Sequence, residues 1–195
     1  RMTAALDLPA VASSGRTVLV TGATGFIGSA LVKRLLARGD LTRSERAHTM
    51  ASLGADFRSA GFLDRAAAAF EEALAHDPNN LYALMGLRKL HEDHQRWAEA
   101  YEVQVRLARL RKADDGLVLG HLRTRIGEDE ARAGNRTAAE AAFLAALSLD
   151  RRVVPAYLGL ADLYEEREPA RALDVLESME RAIPANPSLY PGTSV

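Results

Sequence analysis

The sequence predicts an all-α fold, a superhelical stack of short helix–turn–helix units known as an α-solenoid. After about residue 40, apolar residues recur at i, i+3, i+4 and i+7, and no segment has the pattern of a strand. Units of about 34 residues with similar patterns repeat along the chain. We therefore divide the chain into an N-terminal segment (1–40), a superhelix (41–187) and a tail (188–195).

The first unit, residues 47–80, reads AHTMASLGADFRSAGFLDRAAAAFEEALAHDPNN. It resembles the tetratricopeptide repeat (TPR), a helix–turn–helix of about 34 residues, at nearly every signature position. Small residues let its two helices approach closely, large ones fill the space between them, a glycine fits the turn and a proline ends the second helix. These positions are Leu53, Gly54, Phe57, Gly61, Ala66, Phe70, Ala73 and Pro78.

Three further units follow, at residues 81–114, at 120–153 and from 154 onward. Gly127 and Gly134 repeat the positions of Gly54 and Gly61, which a chance helical bundle would not reproduce. The third unit starts 39 residues after the second rather than 34, so DGLVL (115–119) is expected to extend a helix or a loop. The fourth unit is one residue short in its turn. Both ends of the array lack an evident capping helix, so end-to-end self-association is a further possibility.

Composition narrows the classes of partner. The formal net charge is −1 and cysteine is absent, which gives no global attraction to nucleic acid and excludes disulfides and thiolate chemistry. The longest apolar run is far shorter than the roughly 20 residues that span a bilayer, and the first residues do not resemble a signal peptide. We expect a cytoplasmic protein, or one that joins a membrane through a partner or a segment missing from this chain.

Resemblance to TPR proteins implies that the first helix of each unit lines a concave groove that binds a protein or peptide segment. The chaperone-type carboxylate clamp is disfavoured, because Ala51, Ala55 and Gly86 occupy positions where it needs Lys or Asn. Placed on the usual TPR register, the groove residues are His48, Arg58, Tyr82, Met85, Lys89, Glu92, His121, Thr124, Glu128, Leu158 and Asp162.

A second motif precedes the repeats. Val18–Val20 and the glycines Gly22, Gly25 and Gly28 resemble the TGxxGxxG fingerprint of extended short-chain dehydrogenases and nucleotide-sugar epimerases. There a tight turn and a helix N-terminus hold the pyrophosphate of NAD(P). The second strand and its ribose-binding residue should follow, but DLTRSERAHTM (40–50) leads straight into the first repeat. The family's Tyr-x-x-x-Lys is absent as well: the residues four after Tyr82, Tyr101, Tyr157 and Tyr164 are Gly86, Val105, Ala161 and Glu168.

One strand cannot make a parallel sheet, so the fragment is not expected to form a Rossmann domain. Three interpretations stay open for residues 16–39. They are a graft or misjoined fragment, a mimic of the motif that folds as a helix on the first repeat, or a nucleotide site completed by another chain. Under the first two, we expect residues 27–38 to be helical and to stack on the first repeat. Only the third implies a cofactor.

No other motif favours catalysis or metal binding. His91 and His94 are spaced i, i+3, but no third ligand is indicated, and His91 occupies an inter-helix packing position. The sequence has no nucleophile elbow and no phosphate-binding Walker loop. We therefore predict no enzyme activity, no metal site and no bound cofactor for the repeats.

Residues 35–180 also resemble the TPR region of the bacterial lipopolysaccharide assembly protein B family. The likeness lies in LLARGDLTRSERAHTMASLGADFRSAGFLDRAAAAFEEAL, in WAEAYEVQVRLARL and in an extended unit two repeats later. That resemblance implies a cytoplasmic adaptor that links a membrane protease to the deacetylase of lipid A synthesis. The family's membrane helix and four-cysteine module have no counterpart here. The sequence therefore predicts a scaffold, with an NAD(P)-binding fragment as the alternative.

Overall fold

The computed structural model describes residues 41–183 and, before them, Val32, Arg34 and Ala37. Residues 41–183 form four consecutive helical hairpins, here called repeats 1 to 4. The first helices of the repeats are α1 (Arg43–Ser59), α3 (Leu81–Asp93), α5 (Gly116–Arg132) and α7 (Val154–Glu165). The second helices are α2 (Leu63–His76), α4 (Trp97–Arg111), α6 (Arg136–Leu149) and α8 (Pro169–Ala182).

Side-chain caps mark the beginning of α1 and of α3. Thr42 and Glu45 form a capping box: the Thr42 hydroxyl accepts from the Glu45 amide at 3.2 Å, and the Thr42 amide donates to the Glu45 carboxylate at 2.7 Å. Asn80 caps α3 by accepting from the Ala83 amide at 2.9 Å. Such caps satisfy amides that a helix start leaves without partners.

The turns inside the hairpins need left-handed backbone. Gly61 and Gly134 both have φ of 81°, a conformation that glycine adopts without the steric cost of a β-carbon. Repeat 2 makes the same turn with Gln95 at φ 57°. Repeat 4, one residue shorter, has Glu168 at φ −142° before α8, so its turn follows a different path.

A buried phenylalanine joins neighbouring repeats. The ring of Phe70 on α2 lies between Gly54 of its own repeat and Gly86 of the next, and a β-carbon on either glycine would come within 2.8 and 2.3 Å of it. This contact is repeated 73 residues later by Gly127, Phe143 and Gly159. The two rings are 0% and 1% exposed, so each fills the space that glycines leave between helices.

The two phenylalanines belong to separate apolar clusters. One is built from α1, α2 and α3, and the other mainly from α6, α7 and α8. Repeat 2 has Gln104 in the position of the phenylalanine, 2% exposed, and its amide donates to Asp115 at 2.7 Å. The insertion, which begins at Asp115, therefore meets a buried polar side chain at the junction between the halves.

The structure confirms the all-α solenoid, and residues 41–183 contain no strand. Residues 116–119 extend α5, which decides between the helix and the loop left open for DGLVL. Val32 is helical and packs, 4% exposed, in the cluster that contains Met50 and Leu53. The rest of the segment 27–38, apart from Arg34 and Ala37, and the tail 188–195 lie outside the described residues.

Candidate functional site

The first helices of repeats 1 and 2 present one continuous surface. At one end of α1, the ring of His48 lies 6.2 Å from that of Tyr82 on α3. Near the other end, the Arg58 guanidinium donates to the Asp93 carboxylate at 3.0 Å. Because the two contacts join the same pair of helices about three turns apart, α1 and α3 lie side by side over this length.

The end of this surface that holds the His48–Tyr82 contact is largely apolar and exposed. Tyr82 and Met85 are 46% and 45% exposed, one turn apart on α3, and His48 is exposed beside Tyr82. We call His48, Tyr82, Met85 and Lys89 the α1–α3 patch. Exposed aromatic and thioether side chains of this kind are enriched where proteins bind one another.

The charges at the edge of the patch compensate each other. Asp93 accepts from Arg58 and lies 3.2 Å from the Lys89 ammonium, and Glu92 pairs with Arg88 and, at 3.6 Å, with Lys89. Burial acts to raise the pKa of Asp93, but hydrogen bonds from Lys89 and Arg58 outweigh it and lower that pKa. The sequence prediction missed Asp93 and Arg88, because their role depends on a partner from another helix or turn.

The predicted groove residues of repeats 3 and 4 differ from one another in exposure. His121, Leu158 and Asp162 are exposed, with Leu158 at 46%. Glu128 is held by Arg125 at 2.6 Å on its own helix. Thr124 differs from expectation: it is 1% exposed, and its hydroxyl donates back to the Gly120 carbonyl at 2.9 Å. A partner in the groove could not reach its side chain.

The insertion at α5 also divides the groove. The first helices α1 and α3 pack together, as do α5 and α7, whereas α3 and α5 have at most slight contact. α5 instead packs on α4, where Arg123 stacks over the Tyr101 ring at 4.1 Å and Arg125 over Trp97 at 4.8 Å. The predicted site is therefore two patches, one on α1 and α3 and one on α5 and α7.

The alternative nucleotide site lies outside the described residues, since Gly22, Gly25 and Gly28 all precede Val32. Within the described part of the chain, no group of three or more metal-ligating side chains is close enough to hold an ion. Over the same residues, no helix combines the length and apolarity that crossing a bilayer requires. His91 is half-buried at the packing position expected for it, and burial lowers its pKa.

Comparisons with known proteins point in two directions. Residues 18–110 match the model of the NAD dependent epimerase/dehydratase family. That match includes the glycine motif, but from Arg43 onward it falls on α1 to α4, where the structure has helical hairpins. A comparison with curated proteins returned no match.

Solved structures with similar folds include two of MamA and one of PilF from Pseudomonas aeruginosa. A MamA variant aligns with 84% of this chain and 87% of its own at 18% identity and a TM-score of 0.51. Another MamA structure shares 24% identity over 71% and 73% of the chains, with a TM-score of 0.48. PilF shares 20% identity over 82% and 69%, with a TM-score of 0.47. The MamA variant supports the helical-repeat fold of residues 41–183.

Proposed function

We propose that this chain is a protein-interaction scaffold whose α1–α3 patch binds a segment of a partner protein. The observation that supports this most directly is the exposure of Tyr82 and Met85 beside His48, on a surface made by two packed first helices. Burying these side chains under a ligand would stabilise the complex by about 25 cal/mol per Å² of apolar area. The compensated charges around Lys89 would orient the segment more than attract it.

On the resemblance to the lipopolysaccharide assembly protein B family, we further propose a cytoplasmic adaptor in lipopolysaccharide assembly. Its partner would lie across the α1–α3 patch. The direct assay is capture of the membrane protease and the lipid A deacetylase from bacterial extract with the full chain as bait. Recovery of neither would count against the adaptor role and leave the more general scaffold intact.

The general proposal is tested with a phage-displayed peptide library selected on the full chain. Selected peptides should lose binding to a Tyr82→Ala/Met85→Ala variant by about tenfold or more, because truncation of central aromatic anchors has effects of this size. The matched control is Leu144→Ala, which removes a leucine of 51% exposure from a second helix. Peptides that bind the wild type and the double variant equally would contradict the assignment to this patch.

A second function, NAD(P) binding by Gly22, Gly25 and Gly28, is favoured only by the family match over residues 18–110. Isothermal titration of the full chain with NAD⁺ and NADP⁺ distinguishes NAD(P) binding from a scaffold function alone. We expect no heat of binding with either nucleotide. Micromolar binding that a Gly25→Asp variant abolishes would overturn the scaffold-only proposal, since a carboxylate there would repel the pyrophosphate.

A further inference from the structure

The last helix of the described chain lacks the neighbour that every other second helix has. α2, α4 and α6 each pack against the first helix of the following repeat, respectively α3, α5 and α7. Within residues 41–183 nothing follows α8, and Ala172 is its one buried residue. Among the described residues, no first helix packs on the corresponding side of α8.

The large apolar side chain with the highest exposure among the described residues lies on this side of α8. Leu173 is 63% exposed, and its counterparts in repeats 2 and 3 are Tyr101 and Glu140. Tyr101 stacks under Arg123 of α5 at 4.1 Å, and Glu140 accepts a hydrogen bond from Tyr164 of α7 at 2.5 Å. Both contacts are to the next first helix, so Leu173 occupies a position that contacts such a helix.

Three exposed glutamates lie on α8 and at the end of α7. Glu165 is the counterpart of Arg58, whose guanidinium reaches Asp93 on the next first helix at 3.0 Å. Glu177 and Glu180 lie one and two turns after Leu173. All three glutamates are exposed, and within the described residues none forms an ion pair. The neighbouring Arg181 donates to the Glu177 carbonyl and to Ser178 instead.

We propose that this end face, formed by Glu165, Leu173, Glu177 and Glu180, binds an amphipathic helix of a partner protein. The helix would take the place of the first helix of a following repeat, with an apolar stripe over Leu173. Its flanks would carry lysine or arginine, because covering three carboxylates with neutral or acidic groups would leave their charge without compensation. This surface is distinct from the α1–α3 patch, and it binds a helix rather than an extended segment.

The test uses the full chain and a synthetic peptide of about 18 residues, with leucines on one helical face and lysines beside them. Binding is followed by fluorescence anisotropy of the labelled peptide. We expect saturable binding that weakens at least about tenfold for Leu173→Asp and for Glu165→Lys/Glu177→Lys/Glu180→Lys. It should also weaken between about 50 and 300 mM NaCl, because exposed charge pairs are screened by salt.

Matched controls locate the site. Leu144→Asp changes a leucine of 51% exposure on α6, which already packs against α7, so it should leave the affinity unchanged. Tyr82→Ala/Met85→Ala should also leave the peptide affinity unchanged. The proposal for the end face can therefore fail or succeed independently of the proposal for the α1–α3 patch. A peptide with glutamate in place of lysine should not bind. Circular dichroism checks that each variant keeps the wild-type helix content.

Three results would overturn the proposal. The first is equal peptide affinity for the wild type and Leu173→Asp. The second is a loss for Leu144→Asp as large as that for Leu173→Asp, which would indicate adhesion to any exposed leucine. The third is no peptide binding together with self-association of the chain in sedimentation that Leu173→Asp abolishes. That result would assign the end face to a second copy.

Discussion

Repeats 1 and 2 and repeats 3 and 4 share the same apolar packing but differ in the polar groups around it. In both halves a phenylalanine lies between two glycines of consecutive first helices, Phe70 in one and Phe143 in the other. Position 91 of the first half holds a histidine whose counterpart, 73 residues later, is Tyr164. The shared apolar packing forms the solenoid, whereas the polar residues around it distinguish one half from the other.

The second half has a polar network at that position. The Tyr164 hydroxyl donates to Glu140 at 2.5 Å and accepts from Arg171 at 2.8 Å, which also pairs with Glu140 and Glu168. These bonds connect α6, α7 and the start of α8. Burial and the bond to Glu140 raise the pKa of Tyr164 to about 12, while the bond from Tyr164 lowers the pKa of Glu140.

The largest expected effect comes from removing the shared phenylalanines. Phe143→Ala should lower the free energy of unfolding by about 3–5 kcal/mol, since it leaves a cavity in a closely packed cluster. Because Phe70 lies in a separate cluster, amide hydrogen exchange should accelerate in α5 to α8 while α1 and α2 keep their protection. Phe70→Ala should give the reverse pattern. Equal acceleration in both halves for either variant would show that the array unfolds as one unit.

The glycines opposite the rings give the next effect. A β-carbon at Gly86 would lie 2.3 Å from the Phe70 ring, which Gly54 confines on its other side. We expect Gly86→Ala to destabilise by about 1–3 kcal/mol in urea unfolding, the usual cost of overpacking. Adding Phe70→Leu should make the cost of Gly86→Ala smaller, because the leucine leaves room for the methyl group. If the two costs simply add, the clash is not the cause.

The junction between the halves contains a hydrogen bond from the buried Gln104 side chain to Asp115, which also pairs with Arg111 at 3.3 Å. Asp115→Ala leaves the Gln104 amide, 2% exposed, without its acceptor. The free energy of unfolding should fall by about 1–3 kcal/mol, the penalty for an unsatisfied buried polar group. Gln104→Met in the same chain should recover part of this loss. Urea unfolding of the wild type, the two single variants and the double variant gives the coupling energy, and a coupling near zero would contradict a structural role for the pair.

Sequence alone was sufficient for the parts that depend on local spacing. Gly54, Phe70 and their counterparts follow the TPR pattern, and so do the turns at Gly61 and Gly134. The burial of Thr124 was not predictable from that pattern. Ala51 at its equivalent position in repeat 1 is also buried, whereas the longer Met85 and Leu158 reach the surface. The Gln104–Asp115 pair was missed because it bridges the insertion, where the repeat offers no register to copy.

The polar network of the second half should contribute less than its core. Tyr164→Phe keeps the ring and removes the hydroxyl, so we expect a loss of about 1 kcal/mol in thermal or urea unfolding at neutral pH. The folded-state pKa of Glu140 is lowered from 4.5, so its contribution is present above that pH and is lost as the pH falls further. The difference between the wild type and Tyr164→Phe should therefore shrink below about pH 4. A constant difference down to pH 3 would argue against the ionised carboxylate as the partner.

The smallest effect is expected at His91, the first-half counterpart of Tyr164. Burial is the main cause that lowers its pKa from 6.5, and the nearby Arg96 adds to it, while Glu99 and Glu71 act in the opposite direction. Because the folded state disfavours the protonated ring, stability is full above pH 6.5 and falls as the pH drops through the folded-state pKa. His91→Gln should make stability less dependent on pH between about pH 7.5 and 5.5, because the variant has no ring to protonate. Melting temperatures of the wild type and His91→Gln across that range provide the measurement. If the His91→Gln slope matches the wild type, the acid sensitivity of the first half comes from another group.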